Sequence, residues 1–335
     1  MYSSSSPLSN DDLDRAFTEG HFAAVFQPKL SLIDGRTLGV EAFVRWHHPE
    51  LGTLLPGEFL SFVADAGRMD DLTDMILHEA ARVASCWRSQ RRHWTVTVNL
   101  GASDLDNESL PKHLADLLTA YAIPAEAIAI DVPEAAIAED PEKRLAALRP
   151  LKDLGIHIAL DASGMDLLPP EMISATHFTE LKMGGSALIK FARSVERARK
   201  GLIAERLEAA TSHGLSVTAT RIEDIDTLKP LAEMGFDAAQ GTFFRHPDTV
   251  EGLETWSSDW LIPVLTGERP PRADTLDRAR ATISDPDLLL MPADDDPDGE
   301  ERAKAEAAPA ESDRAEDRDT DEETPRLREL STASS

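Results

Sequence analysis

Short apolar segments rich in β-branched residues recur along the chain, and stretches with helical periodicity separate them. In the stretch DDLTDMILHEAARVASCWRS, apolar residues between Leu72 and Trp87 recur every three or four positions, which predicts an amphipathic helix. Three later helical stretches end at a glycine before the next apolar segment, at Gly155, Gly214 and Gly235. This alternation predicts βα units and a parallel sheet rather than a β-sandwich.

Polar side chains stand where the apolar segments end, and a βα barrel carries its active site at that edge. Acids, amides and a lysine recur there, so the pattern predicts a metal or phosphate site at the mouth of an eight-stranded barrel. The acid pair that such a site needs is incomplete, because Ala162 follows Asp161. The polar residues at the segment ends are Gln27, Glu41, Arg45, Asn99, Asp131, Glu134, Asp161, Lys182, Glu223 and Gln240.

The chain has 335 residues, more than the roughly 250 that a βα barrel needs. Residues 1–10 form a Ser-rich lead that we expect to be flexible, and 11–250 form the predicted barrel. The pattern weakens over a transition segment, 251–280. Residues 281–335 are rich in Pro, Ala, Asp, Glu and Arg, which predicts a disordered acidic tail.

The net charge of −27 is shared between the two parts of the chain. Residues 281–335 hold 18 acidic and six basic residues, a net −12, which leaves −15 on the rest. A domain this acidic lacks the basic surface that duplex nucleic acid requires. The sequence has neither a run of about 20 apolar residues nor a basic, apolar signal at its start, so we expect no membrane association and a cytoplasmic location.

Seven strings in the sequence resemble, in order, the successive motifs of the EAL domain family, whose members hydrolyse the bacterial second messenger cyclic di-GMP. The likeness runs from about Leu13 to Pro247, and the interval from Asp161 to Gly184 has the length of the family's interval from DDFGTG to LKID. The resemblance implies a modified TIM (β/α)8 barrel with the dinucleotide across its mouth. The strings are FQPKL, GRTLGVEAFVRWHHPELG, VNLGA, IDVPEAAI, IALDASG, ELKM and GFDAAQGTFFRHP.

The resemblance implies four oxygen ligands for a first metal ion. Glu41 matches the acid of the EAL motif, Asn99 the amide of VNLS, and Asp161 the first acid of DDFGTG, which bridges two metals. Asp131 stands where the family has a Glu and is one methylene shorter. This set suits at most one Mg²⁺ or Mn²⁺.

Three positions that carry acids in the family have lost them here, which identifies the chain as a degenerate member. Ala162 replaces the second Asp of DDFGTG, Gly184 replaces the Asp of LKID, and Thr220 replaces the first Glu of EGVE, with Arg221 at the following Gly. A second metal ion would keep only Asp161. Two-metal hydrolysis needs both ions, so we expect little turnover.

Other family positions are retained. Lys182 matches the catalytic lysine that orients water and would be vestigial without two metals, in which case it pairs with Asp161 or Asp131. Glu223 matches the last Glu of EGVE and is a weaker catalytic candidate. Glu134 matches the acid that holds the neighbouring loop.

The resemblance also implies contacts with the dinucleotide. Gln27 and Pro28 of the FQP string, together with Gln240 of QG, match ligand-binding positions. Arg45 has the fork geometry to pair with a phosphate or a guanine edge, but it could equally pair with Glu41.

These residues leave three functions open. In the favoured one, the barrel binds cyclic di-GMP as a receptor without cleaving it and requires no cofactor. In the second, it is a scaffold independent of the nucleotide, with Met165–Pro170 and the acidic tail as surfaces for an unidentified protein partner; the apolar side chains of Met165–Pro170 could equally fold back onto the barrel. In the third, a residual phosphodiesterase yields the linear dinucleotide pGpG. The sequence does not decide whether the barrel forms a homodimer.

Overall fold

Eight strands close into a barrel in the computed structural model, which describes residues 8–163, 168–174, 176–193 and 202–266. Numbered along the chain, the strands follow one another around the ring in the order first, ninth, eighth, seventh, sixth, fifth, fourth and second, each hydrogen-bonded to the next. The second strand also pairs with the first, which closes the barrel. The third strand extends the second as a hairpin. The strands of the described residues are β1 (Phe22–Ser31), β2 (Thr37–His48), β3 (Gly52–Leu54), β4 (Thr95–Asn99), β5 (Ile128–Pro133), β6 (His157–Asp161), β7 (Glu180–Met183), β8 (Ser216–Ala219) and β9 (Ala238–Gln240).

The direction of β1 distinguishes this barrel from a regular one. It runs antiparallel to both neighbours, β2 and β9, whereas the other neighbouring strands of the ring are parallel. The β1–β2 register places Gln27 opposite Glu41, and the β1–β9 register places Lys29 opposite Gln240. The predicted modified eight-stranded barrel is therefore confirmed, with Gln27 of β1 brought to the mouth.

Helices surround the ring and bury their apolar faces against it. The predicted amphipathic stretch is a single 21-residue helix whose Ile76, Leu77 and Trp87 are buried in the barrel core. Within the described residues the helices are α1 (Asn10–Glu19), α2 (Pro56–Asp65), α3 (Met69–Ser89), α4 (Ala102–Leu105), α5 (Leu110–Ala120), α6 (Glu134–Ala138), α7 (Pro141–Asp153), α8 (Gly185–Arg193), α9 (Leu202–Ser212), α10 (Ile225–Met234), α11 (Val250–Glu254) and α12 (Ile262–Thr266), with 3₁₀ turns at Ala125–Ala127, Pro170–Met172 and Asp259–Leu261.

The ends of the described chain refine the predicted segments. Helix α1 begins at Asn10, inside the predicted lead, because Ser9 caps it in a capping box with Asp12. Within the predicted transition segment, α11 and α12 follow the barrel, and Leu253 and Leu261 are buried in its core. The predicted tail, 281–335, lies outside the described residues.

A second apolar cluster lies beside β1 and β2. Trp46 is fully buried, and its ring centroid lies 5.1 Å from that of Phe22 and 5.7 Å from that of Phe59. Trp46 therefore packs between helices and sheet, which anchors the end of β2 next to Arg45.

Among the described residues, no helix combines the length and the apolar character that a membrane span requires.

Candidate functional site at the barrel mouth

The carboxyl ends of five parallel strands bring the predicted polar residues together. Register pairs Asn99 with Asp131 and Asp161 with Lys182 on neighbouring strands, while Glu41 lies on β2 beside β4. These side chains line a cavity of about 440 Å³. Other predicted residues on its wall are Gln27, Arg45, Thr220, Arg221 and Gln240.

Lys182 lies at the centre of the charges in this cavity. Its Nζ donates to Glu41 Oε2 at 2.6 Å and to Asp131 Oδ2 at 2.5 Å. The three side chains are almost completely buried. The ammonium group therefore occupies the space between two carboxylates that the resemblance assigns to a metal ion.

Burial and pairing shift the pKa values of these groups. Burial alone would lower the pKa of Lys182, but the carboxylates of Asp131, Glu41 and Glu180 raise it well above its ordinary value. Burial opposes ionisation of Glu41 as well, yet Lys182 and the amides of Asn99 and Gln240 hold its pKa below normal. Burial and the neighbouring carboxylates raise the pKa of Asp131 well above normal, against the pull of Lys182. Lys182 thus keeps its proton, and of its two partners Asp131 is the acid whose ionisation is disfavoured.

A chain of amide hydrogen bonds fixes Glu41. Asn99 Nδ2 donates to Glu41 Oε1 at 2.9 Å, and Gln240 Nε2 donates to Glu41 Oε2 at 3.2 Å and to Gln27 Oε1 at 3.0 Å. Gln27 Nε2 in turn donates to the Arg245 carbonyl at 3.0 Å. Gln27 and Gln240, predicted as ligand contacts, therefore also position the acid.

The oxygen set at the mouth fits one divalent cation. Asp131 Oδ1 is buried without a hydrogen-bond partner in the part of the chain that the structure describes, and so is Gln240 Oε1. An unsatisfied buried carboxylate oxygen is costly unless it meets a donor or a cation. Glu41, Asn99 and Asp161 supply the other oxygen atoms, so these residues would hold such an ion.

The second metal position does not fit a cation. Ala162 contributes no donor atom, and Thr220 Oγ1 lies 2.9 Å from Ser163 Oγ in a pair of neutral hydroxyls. A Cβ atom added to Gly184 would lie only 2.2 Å from Thr220 Oγ1 and 3.2 Å from Ser163 Oγ. The Thr220 hydroxyl therefore occupies the space that an acid at residue 184 would need.

Two arginines contribute positive charge to the cavity wall. Arg45 is buried, donates to the Val44 carbonyl at 2.9 Å and lies 5.9 Å from the centroid of the Phe43 ring. Arg221 follows Thr220 and has a φ of +58°, a left-handed conformation that side chains other than glycine rarely adopt. The strained backbone thus carries a cationic side chain at the position that matches the glycine of the EGVE motif.

Some predicted residues do not line the cavity. Pro28 is buried within β1, and Glu223 is exposed; neither is among the described residues on the cavity wall. Glu134, also away from the wall, accepts from the Leu168 amide at 2.6 Å and from Arg206, whose guanidinium donates to the Leu168 carbonyl at 2.8 Å. Glu134 therefore holds the loop after β6, the role that the resemblance implied.

The same loop carried the predicted apolar patch. Leu168 is buried in the barrel core, so at this residue the loop folds back rather than forming an exposed surface. Met165 and Leu167 lie outside the described residues.

Sequence reasoning missed several polar residues that support the site. Lys29 on β1 pairs with Glu180 on β7 at 2.6 Å, one layer below Lys182. Burial raises the pKa of Glu180, but the ammonium groups of Lys29 and Lys182 bring it below its ordinary value. Arg206 lies on α9 between the partly buried Ile203 and Leu207. A single arginine within this apolar helical pattern was the sequence signal that could have identified it as a buried residue.

Comparison with known proteins gives consistent results. The model of the EAL domain matches residues 10–247. An uncharacterised protein of Mycobacterium tuberculosis, Rv1357c, is 30% identical over 236 residues, which cover 68% of this chain and 76% of the relative. The cyclic di-GMP phosphodiesterase PA2567 of Pseudomonas aeruginosa is 30% identical over 244 residues, or 71% of this chain and 40% of that protein.

The fold has a counterpart among solved structures. The PaMucR phosphodiesterase in complex with c-di-GMP superposes with a TM-score of 0.67 at 24% identity. The alignment covers 72% of this chain and 98% of that one.

Proposed function

The chain belongs to the EAL domain family, and on that premise we propose that it is a receptor that binds cyclic di-GMP at the barrel mouth without hydrolysing it. Relatives named as phosphodiesterases of this nucleotide and a similar structure in complex with it support the choice of ligand. The cavity that Gln27, Arg45 and Arg221 help to line is the proposed site.

The observation that carries the absence of turnover is the packing at the second metal position. Thr220 and Ser163 form a neutral hydroxyl pair there, and the space for an acid at residue 184 is already filled. Phosphodiester hydrolysis by two metals needs one ion to generate hydroxide and another to stabilise the leaving oxygen. Because oxygen ligands remain for one ion only, no second metal ion is held to stabilise the leaving oxygen.

The residues that remain can bind a dinucleotide. Arg45 offers a planar fork of donors to a phosphate or a guanine edge. Arg221 adds a positive charge beside Thr220, where it offsets part of the lost cation's charge toward a phosphate. Neither arginine activates a water molecule, so the arrangement favours binding over cleavage.

One Mg²⁺ or Mn²⁺ among Glu41, Asn99, Asp131 and Asp161 would add phosphate affinity but is not required for the receptor function. Such an ion must compete with the Lys182 ammonium for two of the same carboxylates.

Titration calorimetry with cyclic di-GMP, with and without Mn²⁺, tests the proposal. Wild type should bind one nucleotide per chain, and Arg45→Ala should weaken binding at least tenfold. Arg36→Ala is the matched control, because Arg36 is an exposed turn residue paired only locally with Asp34 among the described residues. Its affinity should equal that of wild type.

Two outcomes would contradict the receptor. No binding heat at any concentration would leave the nucleotide-independent scaffold. Formation of pGpG by wild type faster than by Glu41→Gln would favour a residual phosphodiesterase, the activity for which PA2567 is named.

A receptor also needs an output. We assign this output to contact with a protein partner in the cytoplasm.

A further inference from the structure

We propose that the outer surface of the α3–α5 helix pair is a binding site for a transition-metal cation of the Zn²⁺ class, with Asp74, His78 and His113 as its ligands. One potential ligand atom from each residue lies within 4.8 Å of the other two. The site lies outside the set of residues that lines the barrel mouth, and the inference does not depend on nucleotide binding.

The two helices place these side chains together. Asp74 and His78 are four residues apart on α3, so they occupy the same helical face. His113 lies in the first turn of α5 and completes the group from the neighbouring helix. A bound ion would therefore join two helices that pack together, one before β4 and one after it in the sequence.

The distances from Asp74 to the two imidazoles are close to those of a tetrahedral site. Asp74 Oδ1 lies 2.8 Å from His113 Nε2 and 3.8 Å from His78 Nε2. Ligands about 2.0–2.1 Å from zinc in a tetrahedron are about 3.3 Å from each other. Each of these two distances to Asp74 needs to change by about half an ångström, which small side-chain rotations provide.

The state of the ring nitrogens also favours a cation. His113 Nε2 is buried and makes no well-aligned hydrogen bond within the described chain, despite its proximity to Asp74. His78 Nδ1 lies 3.3 Å from the Tyr121 hydroxyl, which orients the ring with Nε2 toward Asp74. A hydrogen bond at one ring nitrogen that leaves the other for the metal is the usual arrangement of ligating histidines.

The chemistry of the donors identifies the class of ion. Two imidazoles and one carboxylate suit Zn²⁺, Co²⁺, Ni²⁺ or Cu²⁺ better than Mg²⁺ or Ca²⁺, which prefer oxygen. Asp74 and His78 also line a shallow surface cavity, so water or an external ligand could occupy a fourth position. The chain's charge of −27 further attracts cations.

The inner face of α3 connects this site with the barrel mouth. Thr73 and Ile76, on either side of Asp74 and Met75 in the sequence, line the central cavity. Thr73 Oγ1 also donates to Asp104 Oδ1 at 2.7 Å. An ion that joins α3 to α5 would thus restrain one wall of the nucleotide site.

Titration with Zn²⁺ in excess Mg²⁺ tests the site on the full chain, because Mg²⁺ competes with Zn²⁺ for the oxygen ligands at the mouth. Wild type and Glu41→Gln should each bind one Zn²⁺, and His78→Ala, His113→Ala and Asp74→Asn should each weaken that binding at least tenfold. His213→Ala is the control, since His213 is exposed and distant in sequence from the cluster. Residues 267–335 contain no His or Cys, so they cannot supply the imidazole ligands.

Substitution of Co²⁺ provides a readout of geometry. Visible d–d absorption bands typical of four-coordinate cobalt should appear for wild type and His213→Ala and disappear for His113→Ala. The proposal is overturned if wild type binds no Zn²⁺, or if the three cluster variants bind it as tightly as wild type. Thermal unfolding without metal shows whether each variant is folded.

Discussion

Replacing Lys182 by Met removes the one ammonium group that the described residues place between Glu41 and Asp131. At 2.6 and 2.5 Å, each pair has a gross attraction of about 6 kcal/mol at an effective dielectric constant of about 20. Most of this attraction offsets the cost of burying the charges, and loss of one partner from a buried pair typically costs about 3–5 kcal/mol.

The lower end of that range is expected here. The pKa of Asp131 is already raised by burial and by neighbouring carboxylates, so this acid can take up a proton when Lys182 is absent. Glu41 keeps hydrogen bonds from Asn99 and Gln240. We therefore expect Lys182→Met to lower the free energy of unfolding by about 3 kcal/mol. That loss corresponds to a fall of roughly 6–12 °C in Tm for a domain of this size.

Urea denaturation followed by circular dichroism measures the loss. Lys112→Met is the matched control, because Lys112 pairs with Asp116 at the same 2.6 Å but its side chain is 80% exposed. An exposed pair at this spacing contributes about 0.3–0.5 kcal/mol. Equal losses in the two variants would refute the view that Lys182 neutralises a buried acid cluster. Mn²⁺ should also stabilise Lys182→Met more than wild type, since it can then replace the ammonium.

Three further predictions concern the rest of the barrel. Gly184→Ala should lower the free energy of unfolding by about 1–3 kcal/mol, because the added Cβ meets Thr220 Oγ1. In a Thr220→Ala background the loss should be smaller. Equal losses in the two backgrounds, measured by urea denaturation, would contradict the packing argument. Arg221→Gly should raise that free energy by about 1 kcal/mol by relieving its positive φ, yet weaken cyclic di-GMP binding in calorimetry; unchanged affinity would exclude a ligand role. The pKa of Glu180 is held below its ordinary 4.5 by Lys29 and Lys182 against the effect of burial, so its contribution to stability is present above that pH and lost as the pH falls through the folded value. Glu180→Gln should accordingly flatten the decline of the urea midpoint below about pH 4.5, and a decline as steep as that of wild type would contradict this assignment.

The barrel could be predicted from the sequence because its signals are local. Alternating apolar segments and helical stretches indicate βα units, and polar residues at segment ends indicate the mouth. Asn99, Asp131 and Lys182 could be placed there because each directly follows or ends such a segment. The antiparallel direction of β1 was not predicted, since periodicity does not distinguish strand direction.

The partners of the buried charges could not be predicted, because they come from elements distant in the sequence. Lys182 was expected to pair with Asp161 or Asp131, and the structure adds Glu41, which lies 141 residues away. The hydroxyl of Thr220 fills the space beside Gly184 through a contact between β7 and the segment after β8. The sequence identified the loss of both acids but contained no information on how that space is filled.

Crystals grown with cyclic di-GMP and Mn²⁺ would count the metal ions directly by anomalous scattering at the manganese edge. The proposed receptor predicts a bound, intact nucleotide and at most one Mn²⁺, held by Glu41, Asn99, Asp131 and Asp161. Two Mn²⁺ ions about 4 Å apart at the barrel mouth would contradict it, because that pair is the arrangement that two-metal hydrolysis requires.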